Sequence, residues 1–200
     1  MCKYLIFGAT GGLGSCLVSQ LTNDSNEIIA ISSSDIDFNS DFSIEQVYSA
    51  IDKNQPDVII NCAGVLGNND EDFNKIFNVN LRSNWIISNY YIKCSLLTKT
   101  VKVIFIGSSS YQKGKKDYIL YAASKAALFN LFEGVSSFFE NSKIVFGLVN
   151  PTRIDTKMIK HLEKNPNLNY LDPINVATDI RNFITTLTKS SVLNIGEQQK

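Results

Sequence analysis

The sequence predicts an α/β fold: a doubly wound parallel β-sheet flanked by helices, formed as a single domain. Two observations carry that expectation. Short apolar runs alternate with longer amphipathic ones along the 200 residues, the pattern of repeated β-α-β units. Most of the short runs are near-continuous Val, Ile, Leu and Phe, as strands covered on both faces require.

Taken in order, strands are expected at residues 4–7, 27–31, 58–61, 102–106, 144–149 and 192–195, and helices at 12–21, 44–53, 73–97, 121–139 and 174–188. The first helix opens at Gly12, straight after a glycine cluster. Pro56-Asp57 separates the second helix from the third strand, because proline cannot continue a helix. The stretch from Tyr121 runs through Ala122, Ala123, Ala126, Ala127 and Leu128, all neutral or favourable in a helix. Asp37 falls where a further short strand would end. No internal repeat, low-complexity tract or linker marks a second domain. Such a sheet places its ligand crevice at the carboxyl ends of the strands.

Composition narrows the function. Lys and Arg number 19 against 19 Asp and Glu, so no basic field argues for nucleic acid. Lys113, Lys115 and Lys116 form the tight basic cluster. Cys2, Cys16, Cys62 and Cys94 contain no Cys-x-x-Cys pair, and His161 is the single histidine, so no metal site is expected. His161 lies in a charged stretch and is read as solvated. Scattered thiols without a signal peptide suit the cytoplasm. No apolar run approaches the roughly 20 residues that span a bilayer. The expected partner is a small molecule, with no membrane and no nucleic acid.

The glycine cluster is Gly8-Ala9-Thr10-Gly11-Gly12-Leu13-Gly14. Between a strand and a helix it lets a pyrophosphate approach amides at the positive helix N-terminus. The second strand runs into Ser32-Ser33-Ser34-Asp35. A dinucleotide-binding fold often has an acid there for the ribose 2′-hydroxyl. Serine at that position leans the reading to NADP(H) over NAD(H), with an ordinary serine-rich loop as the alternative. Asp37 either accepts from an adenine amino group or caps a turn.

Tyr121 and Lys125, at i and i+4, share one helical face. Ser108 stands thirteen positions upstream and two past the strand 102–106, with Ser109 and Ser110 as rivals. A phenol, an ammonium and a hydroxyl so placed can move a proton to or from a carbonyl oxygen. A second Tyr-x-x-x-Lys, Tyr111 to Lys115, crosses Gly114 in a polar stretch and makes a poor helix.

With these motifs in place, the chain resembles the short-chain dehydrogenase/reductase family along nearly its whole length. Gly8, Gly12 and Gly14 match its cofactor loop. Asn61-Cys62-Ala63-Gly64 matches its Asn-Asn-Ala-Gly strand end, Asn78-Val79-Asn80 its catalytic asparagine, and Ser108, Tyr121 and Lys125 its serine and Tyr-x-x-x-Lys element. Asn150-Pro151-Thr152-Arg153-Ile154-Asp155-Thr156 resembles the segment over the nicotinamide, with Thr152 where the family has glycine. The resemblance implies a Rossmann-like fold, an NAD(P) cofactor and hydride transfer at a carbonyl or alcohol. It assigns Asn80, Ser108, Tyr121 and Lys125 to catalysis. Gly8, Thr10, Gly11, Gly12, Leu13, Gly14, Ser32, Ser33, Asp37, Asn61, Cys62, Ala63, Gly64, Pro151, Thr152, Ile154 and Thr156 join Tyr121 and Lys125 around the cofactor. Lys125 is expected to lower the pKa of Tyr121, and Asn80 to anchor a water leading from Lys125 to solvent. Ser108, Ser110, Lys113, Lys115, Lys116 and Arg153 are assigned to a small anionic substrate, a phosphorylated sugar or sugar-like ketone. The family's habit of pairing helices 73–97 and 121–139 implies a homodimer or homotetramer.

Three departures qualify the match. Phe7 replaces the usual threonine, and Thr10-Gly11 and the strand end after Gln55-Pro56 resemble nucleotide-sugar reductases of the extended branch. Only about 35 residues separate Met158 from the last strand, which leaves little chain for a substrate lid. A nucleotide-sugar epimerase or dehydratase, or a non-catalytic dinucleotide sensor, are therefore the competing functions.

Overall fold

The computed structural model describes residues 1–67, 73–94, 97–159 and 167–196. Six strands form one parallel sheet in the order β2-β1-β3-β4-β5-β6. They are β1 Lys3–Phe7, β2 Glu27–Ile31, β3 Val58–Asn61, β4 Val101–Ile106, β5 Ile144–Pro151 and β6 Ser191–Ile195, so the six strands expected from the apolar runs are present. The chain reverses direction across the sheet between β1 and β3, where Ile6 pairs with Ala30 on one side and Ile60 on the other. That reversal is the switch point at which such sheets bind ligands.

Side chains alternate along each strand and feed two cores. Leu5, Phe7, Ile59, Val103 and Phe105 pack on one face with Val47, Ile87 and Leu128. Those three come from helices α2 (Ser43–Asn54), α4 (Ser83–Lys93) and α5 (Ile119–Phe138). Ile6, Ile60 and Ile104 pack on the other face with Leu17 and Ile180, from α1 (Gly12–Asn23) and α6 (Pro173–Thr186). Helix α2 stops where Gln55 turns left-handed at φ 45° and gives its N–H to the Ile51 carbonyl, just before Pro56. Helix α6 starts on Asp172, whose carboxylate accepts the Ile174 N–H at 2.8 Å, with Pro173 at the first position, a pairing that suits a helix start.

Two expectations are corrected. The helix expected over 73–97 is broken: α3 (Phe73–Phe77) passes into a π-helical turn, Asn78–Arg82, and α4 then ends before Cys94. Residues 95 and 96 of that expectation lie outside the described residues, as does His161. In the wider turn, Ser83 donates to the Val79 carbonyl at 2.7 Å and Asn84 to the Asn80 carbonyl at 2.9 Å. Buried side chains thus hydrogen-bond carbonyls of the widened turn.

The second correction is the strand expected to end at Asp37. Residues 32–42 form turns, and β2 is the edge of the sheet. A classic dinucleotide-binding sheet, ordered 3-2-1-4-5-6, carries one more strand outside this position. The stretch between β2 and α2 is too short for that, since a parallel crossover needs about a dozen residues before its strand begins. Ile36 and Phe38 are buried instead, and the Phe38 ring meets Phe7 edge-on at 5.9 Å. Among the described residues no helix is long and apolar enough to cross a membrane.

Candidate active site

A cleft of about 1950 Å³ follows the carboxyl ends of the strands from the exit of β2 to the start of α5. Its floor is the glycine loop. Gly8 has φ +71°, and a Cβ there would lie 2.6 Å from the Ala63 nitrogen; at Gly14 a Cβ would lie 2.2 Å from the Gly8 carbonyl oxygen. Backbone therefore packs on backbone, and no side chain at either position is tolerated. Gly11 precedes α1 without a side-chain cap, and the first turn carries no acid. The helix N-terminus thus presents amides, a positive dipole end and no competing carboxylate. That cradle fits a dinucleotide diphosphate. Thr10, Gly12 and Leu13 line it, and Thr156 closes over Gly12, where an added Cβ would meet its side chain at 2.7 Å.

At the β2 exit Ser32, Ser33 and Asp37 line the cleft. Asp35 folds back so that one carboxylate oxygen accepts the Ser32 N–H at 2.8 Å and the Ser32 hydroxyl at 2.6 Å. Those hydrogen bonds hold its carboxyl below the ordinary range. Asp37 accepts the Asn39 N–H at 2.9 Å.

At the other end Ser108, Tyr121 and Lys125 converge on the cleft. The Ser108 hydroxyl oxygen accepts the Ser110 N–H at 3.1 Å, which leaves its hydrogen to donate. Tyr121 lies in the first turn of α5 with Tyr118 edge-on to its ring at 5.8 Å. Lys125 is 4% exposed, donates to the Ile106 carbonyl at 2.8 Å and sits 5.6 Å from the Tyr121 ring centre. Burial pulls its pKa down to about 8. Burial also raises the Tyr121 pKa, with the Ser108 hydrogen bond acting against it. The expected lowering of Tyr121 by Lys125 is thus corrected: desolvation of the phenol dominates, and what opposes it is the Ser108 hydrogen bond. Cys62 lines the same wall, its thiol pushed up to about 12 by burial, so it stays protonated and neutral.

Asn61 and Asn80 are absent from the lining, though both were assigned to the site. Asn61 is spent behind the wall, donating to Ser83 at 2.8 Å and Asn84 at 2.9 Å and accepting from the Ala63 N–H at 3.1 Å. Asn80 is fully buried; it accepts the Val65 N–H at 2.9 Å and donates to the Val65 carbonyl at 2.9 Å and Ser124 at 3.0 Å. Both amide hydrogens are committed, so the Asn80 side chain clamps Val65 and cannot donate to a water. Ala63, Gly64, Pro151, Thr152 and Ile154 line the cleft.

Beyond Tyr121 the lining is basic. Lys113, Lys115, Lys116 and Arg153 are there with Ser110, and Lys157 and one acid, Asp117, line the same cleft. Lys157 was overlooked, although it directly follows the Thr156 singled out in the same segment. The fold-back of Asp35 was also missed; a serine three residues before an aspartate is the signal that could have shown it.

The family model for short chain dehydrogenase matches residues 32–167. The chain is 25% identical over 197 residues to the 3-oxoacyl-(acyl-carrier-protein) reductase of Buchnera aphidicola subsp. Baizongia pistaciae, covering 85% of this chain and 80% of that protein. It is 24% identical over 221 residues to the reductase of the same name from Rickettsia felis, covering 97% and 92%. A 4-hydroxyisoleucine dehydrogenase mutant, solved with NADH and succinate, superposes with a TM-score of 0.84 at 22% identity, covering 98% of each chain. A short chain dehydrogenase from Burkholderia cenocepacia J2315, solved with NADP, superposes with a TM-score of 0.81 at 18% identity over 98% of this chain and 88% of that one. With its family model matched over most of its length and its parallel sheet shared with these structures, the chain belongs to the short-chain dehydrogenase/reductase family of NAD(P)-dependent oxidoreductases.

Proposed function

We propose that the cleft is the active site of a carbonyl reductase or alcohol dehydrogenase acting on a small anionic substrate, with a phosphorylated sugar or sugar-like ketone as the best fit. The observation that carries it is the convergence of Ser108, Tyr121 and Lys125 at one end of a cleft whose other end is a diphosphate cradle. Bound there, the nicotinamide would supply or take up hydride. Tyr121, kept neutral by burial, gives its phenolic proton to the carbonyl oxygen. Ser108 donates to the same oxygen as charge develops on it. Lys125 holds ribose hydroxyls and keeps a positive charge beneath the phenol. The basic rim of Lys113, Lys115, Lys116, Arg153 and Lys157 supports the anionic substrate, since lysine and arginine both bind phosphate well.

A second substrate reading comes from the relatives, which are named for 3-oxoacyl groups on a carrier protein. Tyr118, Met158, Ile159 and Leu168 line the substrate end and would suit a short acyl chain. For the cofactor, our reading reverses the lean to NADP(H). Residues 31–42 contain Asp35, Asp37 and Asp41 and no lysine or arginine, and Asp35 occupies both the amide and the hydroxyl of Ser32. A 2′-phosphate would meet negative charge there, so NAD(H) is the proposed cofactor.

Turnover of a neutral ketose, its phosphate ester and a 3-oxoacyl thioester, followed by consumption of reduced nicotinamide, tests the reading. The ester should be preferred, and the preference should fall at high salt and on replacing Lys113, Lys115, Lys116 and Arg153. Preference for the thioester selects the second reading. No net consumption with any substrate rejects a reductase in favour of an epimerase or a sensor. Tyr121→Phe should keep cofactor binding and lose about 10²–10⁴-fold in kcat; near-parental kcat would refute the assignment.

A further inference from the structure

We propose that Arg82 is the positioning residue of the adenosine end of the cleft, holding residues 36–40 in the place where an outer strand would otherwise support them. The inference rests on the dinucleotide reading and adds to it a residue that does not line the cleft. The sheet stops at β2, and the chain beyond it forms turns. Those turns nevertheless make a wall: Asp37, Phe38 and Asn39 line the cleft. A wall of turns lacks the ladder of backbone hydrogen bonds that a strand supplies, so its carbonyls need other donors. Turn amides serve the Asp37 and Ser40 carbonyls, and Arg82 adds a donor to Phe38 and Ser40. One terminal nitrogen of its guanidinium lies 3.0 Å from the Phe38 carbonyl, 3.4 Å from the Ser40 carbonyl and 3.2 Å from the Ser43 hydroxyl at the start of α2. All three acceptors are neutral, so the contact is a charge-assisted grip on backbone and not an ion pair.

The placement of Arg82 ties this wall to the opposite one. It closes the π-helical turn that also contains Asn80, two residues earlier. Residues two apart on a helix point to nearly opposite sides. Asn80 reaches the exit of β3 and clamps Val65, while Arg82 reaches the exit run of β2. Because β2 and β3 flank β1, the one turn fixes both sides of the cleft entrance above β1. Losing Arg82 should loosen the adenosine side alone, since the glycine cradle, Lys125 and residues 151–156 stand on other elements.

The test is binding, with no substrate required. Calorimetry on the full chain would compare ADP-ribose, which carries the adenosine end, with reduced nicotinamide mononucleotide, which lacks it. Arg82→Met, which keeps the stem and removes the donors, should weaken ADP-ribose about tenfold or more and leave the mononucleotide within about twofold. Arg82→Lys should give a smaller loss, again confined to ADP-ribose. If Arg82→Met fails to fold by circular dichroism, Arg82→Lys decides alone by the same comparison. Unchanged ADP-ribose affinity, or equal losses for both ligands, overturns the proposal. Parental protein that binds neither ligand instead overturns the dinucleotide reading, and the proposal falls with it before any variant is made.

Discussion

Lys125 combines two properties that oppose each other: it is 4% exposed, and it must hold a proton to act as a cation. Its pKa near 8 in the folded chain, against 10.5 for a free lysine, makes stability depend on pH. Below pH 8 both folded and unfolded chains carry the proton, and the burial penalty is complete. Between about 8 and 10.5 the unfolded chain binds a proton that the folded chain has released, so stability rises with pH. Between pH 8 and 9 the gain should approach about 1 kcal/mol, or a rise of roughly 3 °C in Tm. Lys125→Met should lack this rise; if both proteins show the same slope, Lys125 is not the group responsible.

On the proposed cofactor reading, Asp35 sets the choice between NAD(H) and NADP(H) at the same scale. Parental protein should bind NADH more tightly than NADPH, and Asp35→Asn should narrow the gap by about tenfold. Parental preference for NADPH would refute the reading. The sequence singles out Ser108, Tyr121 and Lys125 because proton transfer needs such side chains at fixed spacing, and the fold brings the three to one cleft. Sequence reasoning could not foresee that burial would raise the Tyr121 pKa, or that Asn80 would spend its amide on Val65. Both depend on what packs around the residue from elsewhere in the chain.

Among the elements, α6 shows how far local chemistry alone can fix a boundary. Asp172 and Pro173 supply a side-chain acceptor and a ready-set backbone angle. Asp172→Ala should therefore cost about 1 kcal/mol and lower Tm by roughly 3 °C, without altering cofactor affinity. A change well under 1 °C would mean the cap contributes nothing. The expected helix began one residue later, at 174, because an N-cap and a proline mark a start only to within a position or two. The π-helical turn is different. Asn78-Val79-Asn80-Leu81-Arg82 has no composition that distinguishes it from ordinary helix, since the turn widens through buried hydrogen bonds among Asn61, Ser83 and Asn84. Nothing local in the sequence announces such partners.

For the molecule as a whole, all six strands were legible, because parallel strands buried on both faces must be apolar throughout. The strand expected near Asp37 was inferred from the usual plan of such sheets, and the short stretch before α2 left no room for it. The outer row of β2 forms one open margin of the sheet. Glu27 gives its N–H to the Cys2 carbonyl and Ile31 receives the Ala9 N–H, so the alternate residues Ile28 and Ala30 turn their amides outward. Among the described residues those two amides have no neighbouring strand to shelter them, whereas Ile59 and Val103 lie in paired strands at the centre. In deuterated solvent the Ile28 and Ala30 amides should be labelled early, together with outward amides of β6 at the opposite edge, and those of β3 and β4 last. Equal protection across the sheet would contradict this order. The labelling pattern would make β2 a seam from which the sheet can unzip, and a bound dinucleotide that slowed exchange there, but not at β6, would be acting as a fastener on that open margin.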